Sequence, residues 1–336
     1  MTIYDIAKKA GVSASTVSRV INDKPGVGEA TKERIRELLK EYNYSPNEAA
    51  RGLVTQSSKI VGILIEDIRI SHHTESAYII EQEMTKRGYT CITLSTGMTP
   101  VRKAEYIKIL EQRRVDGAIL IGSMFGTLEV EKSIKEHLPD VPIVLVNGSL
   151  NLSNVRGILV DEERGVEECV DLLVNKGRRN LAFAVDSITP SNNGKMQGFK
   201  KGLGKHGLGD YEEFIYYATD GDTAPEHTIE RGRQVTKEII MKYPEVNGII
   251  YSIDLLAVGG LQMCYETGIA VPEQIAVIGV DNSLYGKVCT PKLTTLDNKL
   301  VEVCQNASRI LLEAFEGNTT FYKVKLSTDI IQREST

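Results

Sequence analysis

Short aliphatic runs alternate with longer amphipathic stretches between residues 60 and 280, and this alternation constrains the fold more than any other feature. The runs have the length of buried strands, and the stretches between most of them have helical apolar spacing. Such alternation is typical of βαβ units in which helices cover both faces of a parallel sheet. Nine or so strands are many for one sheet, so we expect two α/β lobes that enclose a ligand at their strand ends. The predicted strands are 60–65, 90–94, 117–121, 143–146, 157–160, 181–185, 214–217, 248–251 and 275–280, and the predicted helices are 75–87, 101–113, 162–176, 194–206, 228–242 and 254–267.

The first fifty or so residues have the pattern of short helices joined by tight turns. Thr2 and Asp5 form a capping box at one helix start, and Gly11 is suited to end that helix. Ser13 is a favourable N-cap for a second helix, and a third is expected over about 29–42. Two helices joined by a turn that contains glycine form the helix-turn-helix pattern, whose second helix enters the DNA major groove.

The second helix carries side chains suited to base edges and phosphates. Arg19 can make a bidentate contact to guanine, which contributes about 1–3 kcal/mol of discrimination. Tyr4 and the start of the first helix would contact phosphates and set the register on the duplex. The alternative is a plain helical bundle with a solvated polar face. The DNA contacts predicted for the helix-turn-helix are Tyr4, Ser15, Thr16, Ser18, Arg19 and Asn22.

Charge and composition agree with a two-part chain. Residues 1–58 hold nine Lys and Arg against seven Asp and Glu, whereas the whole chain has a net charge of −5. A mildly basic head on an acidic body is compatible with DNA binding by the head alone. No aliphatic run approaches the ~18 residues that span a bilayer, and the N-terminus lacks an apolar signal core, so we expect a cytoplasmic protein without a membrane partner. The five cysteines are widely spaced and indicate buried thiols.

Several segments resemble the lactose-repressor (LacI/GalR) family of bacterial transcriptional regulators, and together they extend over essentially the whole chain. The resemblance implies an all-α helix-turn-helix head in residues 1–46, then a hinge helix and linker in 47–58. It implies an α/β two-lobed sensing domain, like the type I periplasmic binding proteins, in 59–336. The first lobe is expected at about 59–159 and 289–318, and the second at about 160–288 and 319–336. The matching segments are TIYDIAKKAGVSASTVSRVIN at 2–22, YSPNEAARGL at 44–53, VDG at 115–117, VD at 160–161, GF at 198–199, IGVD at 278–281, PKLTT at 291–295 and REST at 333–336.

The family resemblance identifies the segment after the head as a hinge helix. Residues 47–55 are too few for a stable isolated helix, because helix nucleation is costly. The helix should therefore order only when two copies pack together in the minor groove. The resemblance implies that Leu53 inserts between base steps and kinks the duplex, while Asn47 and Arg51 contact the backbone. It also implies a homodimer on a near-palindromic operator, and we expect the dimer surface to include the predicted helices 75–87 and 101–113.

The resemblance places a small-molecule effector in the cleft between the lobes, where the fold class also favours a ligand. Acceptors at strand ends suit the hydroxyl groups of a sugar. This chain departs from the family where His72 and His73 replace aromatic residues and Lys195 replaces arginine. Two expectations remain open: an acidic or otherwise modified sugar held by Lys195 and histidine, or an ordinary sugar site. The predicted effector contacts are His72, His73, Ser123, Asp161, Ser191, Lys195, His227, Asp254 and Asp281.

The predicted function is that of a ligand-responsive transcriptional repressor of carbohydrate uptake or catabolism genes. One alternative is a global catabolite regulator that answers to a phosphocarrier protein. An enzyme is a weaker alternative, because the GxxxxGKS/T and GxSxG motifs are absent. A secreted sugar-binding protein would not carry the helix-turn-helix. We therefore expect no catalytic residue, no cofactor and no metal.

Overall fold

The computed structural model describes residues 2–44, 57–209, 212–218, 224–318 and 323–336. Two compact units divide at Ser58: a helical head and an α/β body that begins at Lys59. The predicted hinge helix lies outside the described residues, and so do its expected DNA contacts, Asn47, Arg51 and Leu53.

Three helices form the described head, and their ends follow from their caps. Thr2 and Asp5 form a complete capping box, and Gly11 ends the first helix with a left-handed φ of 64°. Ser13 caps the second helix by accepting a hydrogen bond from a backbone N–H. These features confirm the predicted helix-turn-helix. The helices are α1 (Ile3–Ala10), α2 (Ala14–Ile21) and α3 (Glu29–Glu41), and their buried core contains Ile6, Ala7, Ala10, Val17, Val20 and Ile35.

The first sheet of the body has six strands, all parallel, because every connection between neighbours is a crossover. Its strands are β1 (Ile60–Ile65), β2 (Thr90–Ser95), β3 (Gly117–Ile121), β4 (Ile143–Val146), β5 (Val155–Val160) and β11 (Lys323–Leu326), in the spatial order β11-β5-β4-β3-β1-β2. Apolar helix faces cover both sides of this sheet. The helices are α4 (Ser71–Thr85) and α12 (Leu300–Phe315) on one side, and α5 (Pro100–Gln112) and α6 (Leu128–His137) on the other.

The second sheet is also six-stranded, and β12 is antiparallel to its neighbour. Its strands are β6 (Leu181–Val185), β7 (Ile215–Tyr217), β8 (Gly248–Tyr251), β9 (Ala276–Val280), β10 (Thr294–Asp297) and β12 (Asp329–Ile331), in the spatial order β12-β10-β9-β8-β6-β7. Two pairs of helices cover its faces, and a short helix follows β9. The helices are α7 (Glu162–Asn175) with α8 (Pro190–Lys205), α9 (Pro225–Lys242) with α10 (Asp254–Glu266), and α11 (Leu284–Val288).

The chain crosses between the lobes three times, after β5, after β10 and after β11. The predicted lobe boundaries are wrong at two strands. Residues 294–297 were expected in the first lobe, but Thr294 pairs with Ile278 in the second sheet. Residues 323–326 were expected in the second lobe, but they pair with β5 in the first sheet. Strand β11 lies at a sheet edge and alternates exposed with half-buried residues, so it lacks the continuous aliphatic run of a central strand.

Helices α7 and α8 approach closely at Gly198, where a Cβ atom would overlap with the carbonyl oxygen of Glu163. We expect Gly198→Ala to lower the free energy of unfolding by about 2–3 kcal/mol, because backbone cannot give way as a flexible side chain can. Gly194 lies on the same helix with no atom within 4 Å of its would-be Cβ. Gly194→Ala should therefore raise the free energy of unfolding by about 0.5–1 kcal/mol. Equal urea midpoints for the two variants would contradict the packing argument.

Candidate functional site

The exposed face of α2 presents the polar residues predicted to read DNA. Ser15, Arg19 and Asn22 are exposed, and Tyr4 of α1 is 74% exposed. The Ser13 hydroxyl lies 2.7 Å from the Oγ of Ser15, so a hydroxyl cluster marks the start of the helix. This cluster includes the half-buried Thr16, whose Oγ1 is 2.9 Å from the Oγ of Ser13, and the Nδ2 of Asn22 donates to the carbonyl oxygen of Ser18 at 2.8 Å.

The Arg19 guanidinium extends past Gly26, where a Cβ atom would lie 3.0 Å from an Arg19 terminal nitrogen. Gly26 has a φ of 99°, which suits glycine. Within the described part of the chain, no hydrogen bond or ion pair occupies this guanidinium. Its planar donor fork is therefore available to a base edge or a phosphate.

A cavity of about 420 Å³ opens at the carboxyl ends of the strands of both sheets. The first lobe contributes residues after β1, β3 and β4, and the second contributes residues after β6, β8, β9 and β10. A ligand held there would contact both lobes at once, as the topology of open parallel sheets favours. Six of the nine predicted effector contacts line this cavity: His72, His73, Ser123, Ser191, Lys195 and Asp281.

The other three predicted contacts lie outside the lining. Asp161 caps α7 and pairs with Lys325 at 2.8 Å. Asp254 is buried beneath the cavity, 1% exposed. His227 is exposed on α9, and the same helix presents Thr228 and Arg231 to the cavity instead.

Lys195 lies in a buried ion pair with Glu162, whose Oε1 is 3.3 Å from the lysine Nζ. The Nζ also donates to the Asn192 side-chain oxygen at 3.2 Å and to the Ser252 carbonyl at 3.1 Å. Although burial opposes the charge, the carboxylates of Glu162, Asp281 and Asp186 raise the pKa of Lys195. The lysine is therefore charged, and all three of its N–H donors have acceptors within the protein.

A second buried ion pair lies in the first lobe. Lys103 is fully buried, and its Nζ donates to the Glu66 Oε1 at 2.6 Å and to the Met98 carbonyl at 3.0 Å. The other oxygen of Glu66 is 4.0 Å from the Nε2 of His73. Sequence reasoning missed Glu66, although it directly follows the aliphatic run of β1, the same signal that identified Asp281 after β9.

His72 contributes a neutral imidazole to the cavity. Burial, reinforced by the nearby His73 and Lys195, lowers the pKa of His72 to about 3. A neutral imidazole presents one donor and one acceptor, which suits a ligand hydroxyl.

Asp281 and Asn298 line the floor of the cavity in the second lobe, and Asp254 is buried beneath them. Burial raises the pKa of Asp254 to about 6, although its carboxylate accepts hydrogen bonds from Thr295 and Ser283. Burial also raises the pKa of Asp281 well above its usual value. The Asn298 Nδ2 donates to the Asp281 Oδ1 at 2.9 Å. Asn298 follows β10, a strand that the sequence pattern did not predict.

The raised pKa of Asp254 makes stability depend on pH. From the usual value of 3.8 up to about 6, the folded state holds a proton that the unfolded state has lost. The free energy of unfolding is therefore expected to fall by up to about 3 kcal/mol as the pH rises through this window. Asp254→Asn should remove the Asp254 share of that slope, because the amide does not titrate, whereas Asp281, whose pKa is also raised, keeps its share. Urea midpoints at pH 4.5 and 6.5 check this, and an unchanged slope in the variant would contradict it.

The described ranges contain no helix that is both long and apolar enough to cross a membrane. The fold and the site define a DNA-binding helix-turn-helix joined to a two-lobed domain with a ligand cavity at its strand ends.

Comparison with known proteins agrees with this class. Residues 2–47 match the model of bacterial regulatory proteins of the lacI family, and residues 170–336 match the periplasmic binding protein-like domain. An HTH-type transcriptional regulator from Lachnoclostridium phytofermentans is 32% identical over 340 residues, which cover 100% of this chain and 99% of that protein. The ribose operon repressor of Halalkalibacterium halodurans is 27% identical, covering 100% of this chain and 97% of that protein.

Among solved structures, the Lac repressor dimer bound to operator and the anti-inducer ONPF is similar with a TM-score of 0.89 and 21% identity. That similarity covers 100% of this chain and 98% of the repressor chain, and it confirms the predicted fold. The chain belongs to the LacI family of bacterial regulatory proteins. It is a DNA-binding transcriptional regulator, and the relatives named above are regulators rather than enzymes.

Proposed function

We propose that this protein is a ligand-responsive repressor that binds a near-palindromic operator as a homodimer. A sugar or sugar derivative in the interlobe cavity is its effector, and the regulated genes serve carbohydrate uptake or catabolism. The protein acts by binding alone, without catalysis. Two similar proteins support this assignment. One relative is a ribose operon repressor, and one similar structure is the Lac repressor dimer bound to operator DNA.

The observation that carries the proposal is a cavity with polar groups on both lobes. Two hydrogen bonds cross between the lobes at its edge. The Ser191 N–H donates to the Ser123 Oγ at 3.4 Å, and the Asn147 Nδ2 donates to the Glu162 Oε2 at 3.3 Å. A ligand that bridges the lobes competes with these bonds or completes them, so it stabilises one lobe arrangement over another. Regulation requires only this difference in affinity between two states.

Exposed apolar side chains on the body support the dimer. On the first lobe, Tyr78 of α4 is 63% exposed and Val101 at the start of α5 is 62% exposed. On the second lobe, Tyr265, Leu284 and Val288 are 87%, 69% and 69% exposed. Contiguous apolar surface marks protein interfaces, and we infer that these side chains contribute to one. Tyr78 and Val101 lie on α4 and α5, the two helices from which we expect the dimer surface to be built.

Selection from random duplex DNA with the purified full-length chain tests the proposal. We expect enrichment of an inverted repeat, because a two-fold dimer presents two recognition helices to two half-sites. Light scattering of the free protein should give twice the mass of one chain. Enrichment of no sequence, or of a single unrepeated half-site by a monomer, would refute the proposed mode of action.

The effector part of the proposal is tested on the selected operator. A sugar that raises the melting temperature of the protein by mass action should also change operator affinity, because the two sites are thermodynamically linked. A stabilising sugar that leaves operator affinity unchanged would show that the cavity does not control DNA binding.

A further inference from the structure

Three cations in and beneath the cavity have anionic partners within the protein, whereas Arg231 donates to the Ala218 carbonyl and to the Thr228 Oγ1, both at 3.0 Å. A ligand carboxylate would have to displace a buried protein carboxylate, which leaves that group without its partner in a medium of low dielectric constant. This arrangement disfavours an acidic ligand held by Lys195, one of the two expectations that the sequence left open. The ion pairs are Lys195–Glu162 at 3.3 Å, Lys103–Glu66 at 2.6 Å and Arg69–Asp67 at 2.7 Å.

Asp281 differs from the other acids of the cavity. Its Oδ1 accepts a hydrogen bond from Asn298. Among the described residues, no group donates a hydrogen bond to its Oδ2, and no cationic nitrogen lies within 4 Å of the carboxyl group. The side chain lines the cavity directly after β9. The carboxyl group therefore presents an unpaired oxygen to a ligand, and this oxygen is an acceptor once the group is ionised.

Asn298 supplies a second free acceptor beside the first. The residue is 6% exposed, and its buried Oδ1 has no hydrogen-bond partner among the described residues. Because its Nδ2 donates to Asp281, the amide orientation directs the unpaired oxygen away from that bond. A buried acceptor without a donor is energetically costly, so a ligand donor at this point would be strongly favoured.

Two neighbouring acceptors, one of them a carboxylate without a cation, suit an ammonium group, which supplies three N–H donors and a positive charge. We propose that the effector of this protein carries a primary amino group that binds Asp281 and the Oδ1 of Asn298, so its chemical class is the amino sugars. Ser123, Ser191 and the neutral imidazole of His72 remain for the hydroxyl groups. This inference rests on the proposed function, because it concerns the ligand of the same cavity.

The charges around Asp281 predict a proton released on binding. The groups that face it are the acids Asp254, Glu162 and Asp186 and the cation Lys195, and burial together with the three acids favours the protonated carboxyl group. A bound ammonium reverses this preference, so the Asp281 proton passes to the buffer as the ligand binds. A hydroxyl group in the same place carries no charge and would leave the proton on the carboxyl group.

The test uses the full-length protein and ring-matched probes: D-glucosamine, D-glucose and D-glucuronate, with the corresponding galactose set. We expect an amino member to raise the melting temperature and to bind at least about ten-fold more tightly than its neutral and acidic counterparts. Calorimetry of that member in two buffers of different ionisation enthalpy should show net proton release.

Variants separate the proposed contacts from general effects. Asp281→Asn keeps the shape of the side chain and should abolish both the preference for the amino member and the proton release. Asn298→Ala removes the second acceptor and should reduce the preference even if the first variant folds poorly. Asp171→Asn is the matched control, because this carboxylate lies outside the cavity lining and pairs with Lys205 at 2.7 Å, and the preference should be unchanged.

Two outcomes would overturn the amino-sugar assignment. If a neutral or acidic sugar binds best, the assignment is wrong although the protein still has a sugar effector. If no amino sugar of either set raises the melting temperature, the assignment is wrong as stated. Operator selection is independent of these measurements, so failure of the proposed function remains distinguishable from failure of this inference.

Discussion

Replacing Arg19 with alanine is expected to weaken operator binding by about 2–6 kcal/mol, which is about 30-fold to 10⁴-fold in Kd. The guanidinium is exposed on α2 and has no partner among the described residues, so it is available to a guanine edge. One bidentate contact contributes about 1–3 kcal/mol, and a dimer makes it at both half-sites. The stability of the head should hardly change, because the α2 core consists of Val17 and Val20.

Arg34→Ala provides the matched control for this prediction. Arg34 is an exposed arginine on α3, so the variant removes the same charge from the same head but not from the recognition helix. Its effect should be small and similar for all sequences, as expected from loss of long-range attraction to phosphates. Fluorescence anisotropy at a fixed salt concentration measures both variants. Equal losses would mean that Arg19 acts only through its charge, and unchanged affinity would exclude α2 as the reading helix.

Local signals in the sequence were sufficient to predict the head and most of the lobes. The Thr2 capping box, the Gly11 left-handed turn and the Ser13 cap depend on residues a few positions apart, and all three are present. The continuous aliphatic runs became central parallel strands, since such strands are buried on both faces. Strands β10, β11 and β12 were missed because they lack a continuous aliphatic run. Strand β10 reads TTLD, and the other two lie at sheet edges, where apolar continuity is not required.

The site was predicted less completely, because its geometry depends on contacts between distant residues. The position of Asp281 at the cavity could be predicted, because the residue directly follows an aliphatic run. His227 lies on a different face of its helix from the one expected. Helix α9 begins at Pro225, and the face toward the cavity carries Thr228 and Arg231. The free acceptor of Asn298 follows an unpredicted strand. The pairing of Lys195 with Glu162 depends on the close approach of α7 and α8, which no local pattern reveals.

Replacing Lys195 with methionine is expected to lower the free energy of unfolding by about 3–5 kcal/mol. Lys195 is 4% exposed and Glu162 is 5% exposed, so the variant leaves a buried carboxylate without its cation. Asp186 faces the same cation and loses its attraction as well. The double variant Lys195→Met with Glu162→Gln should recover most of the loss, because the charge left unpaired is then removed.

The matched control is Lys325→Met, which breaks the ion pair with Asp161 at 2.8 Å. There the lysine side chain is 55% exposed and the aspartate 25% exposed, so water solvates both partners, and we expect a change within about 1 kcal/mol. Urea unfolding of the full-length protein at neutral pH compares the three variants with the parent. If Lys195→Met is no more destabilising than Lys325→Met, then Lys195 does not compensate the buried acids of the cavity. In that case the lysine would be free to hold a ligand carboxylate, and the acidic-sugar expectation would regain its physical basis.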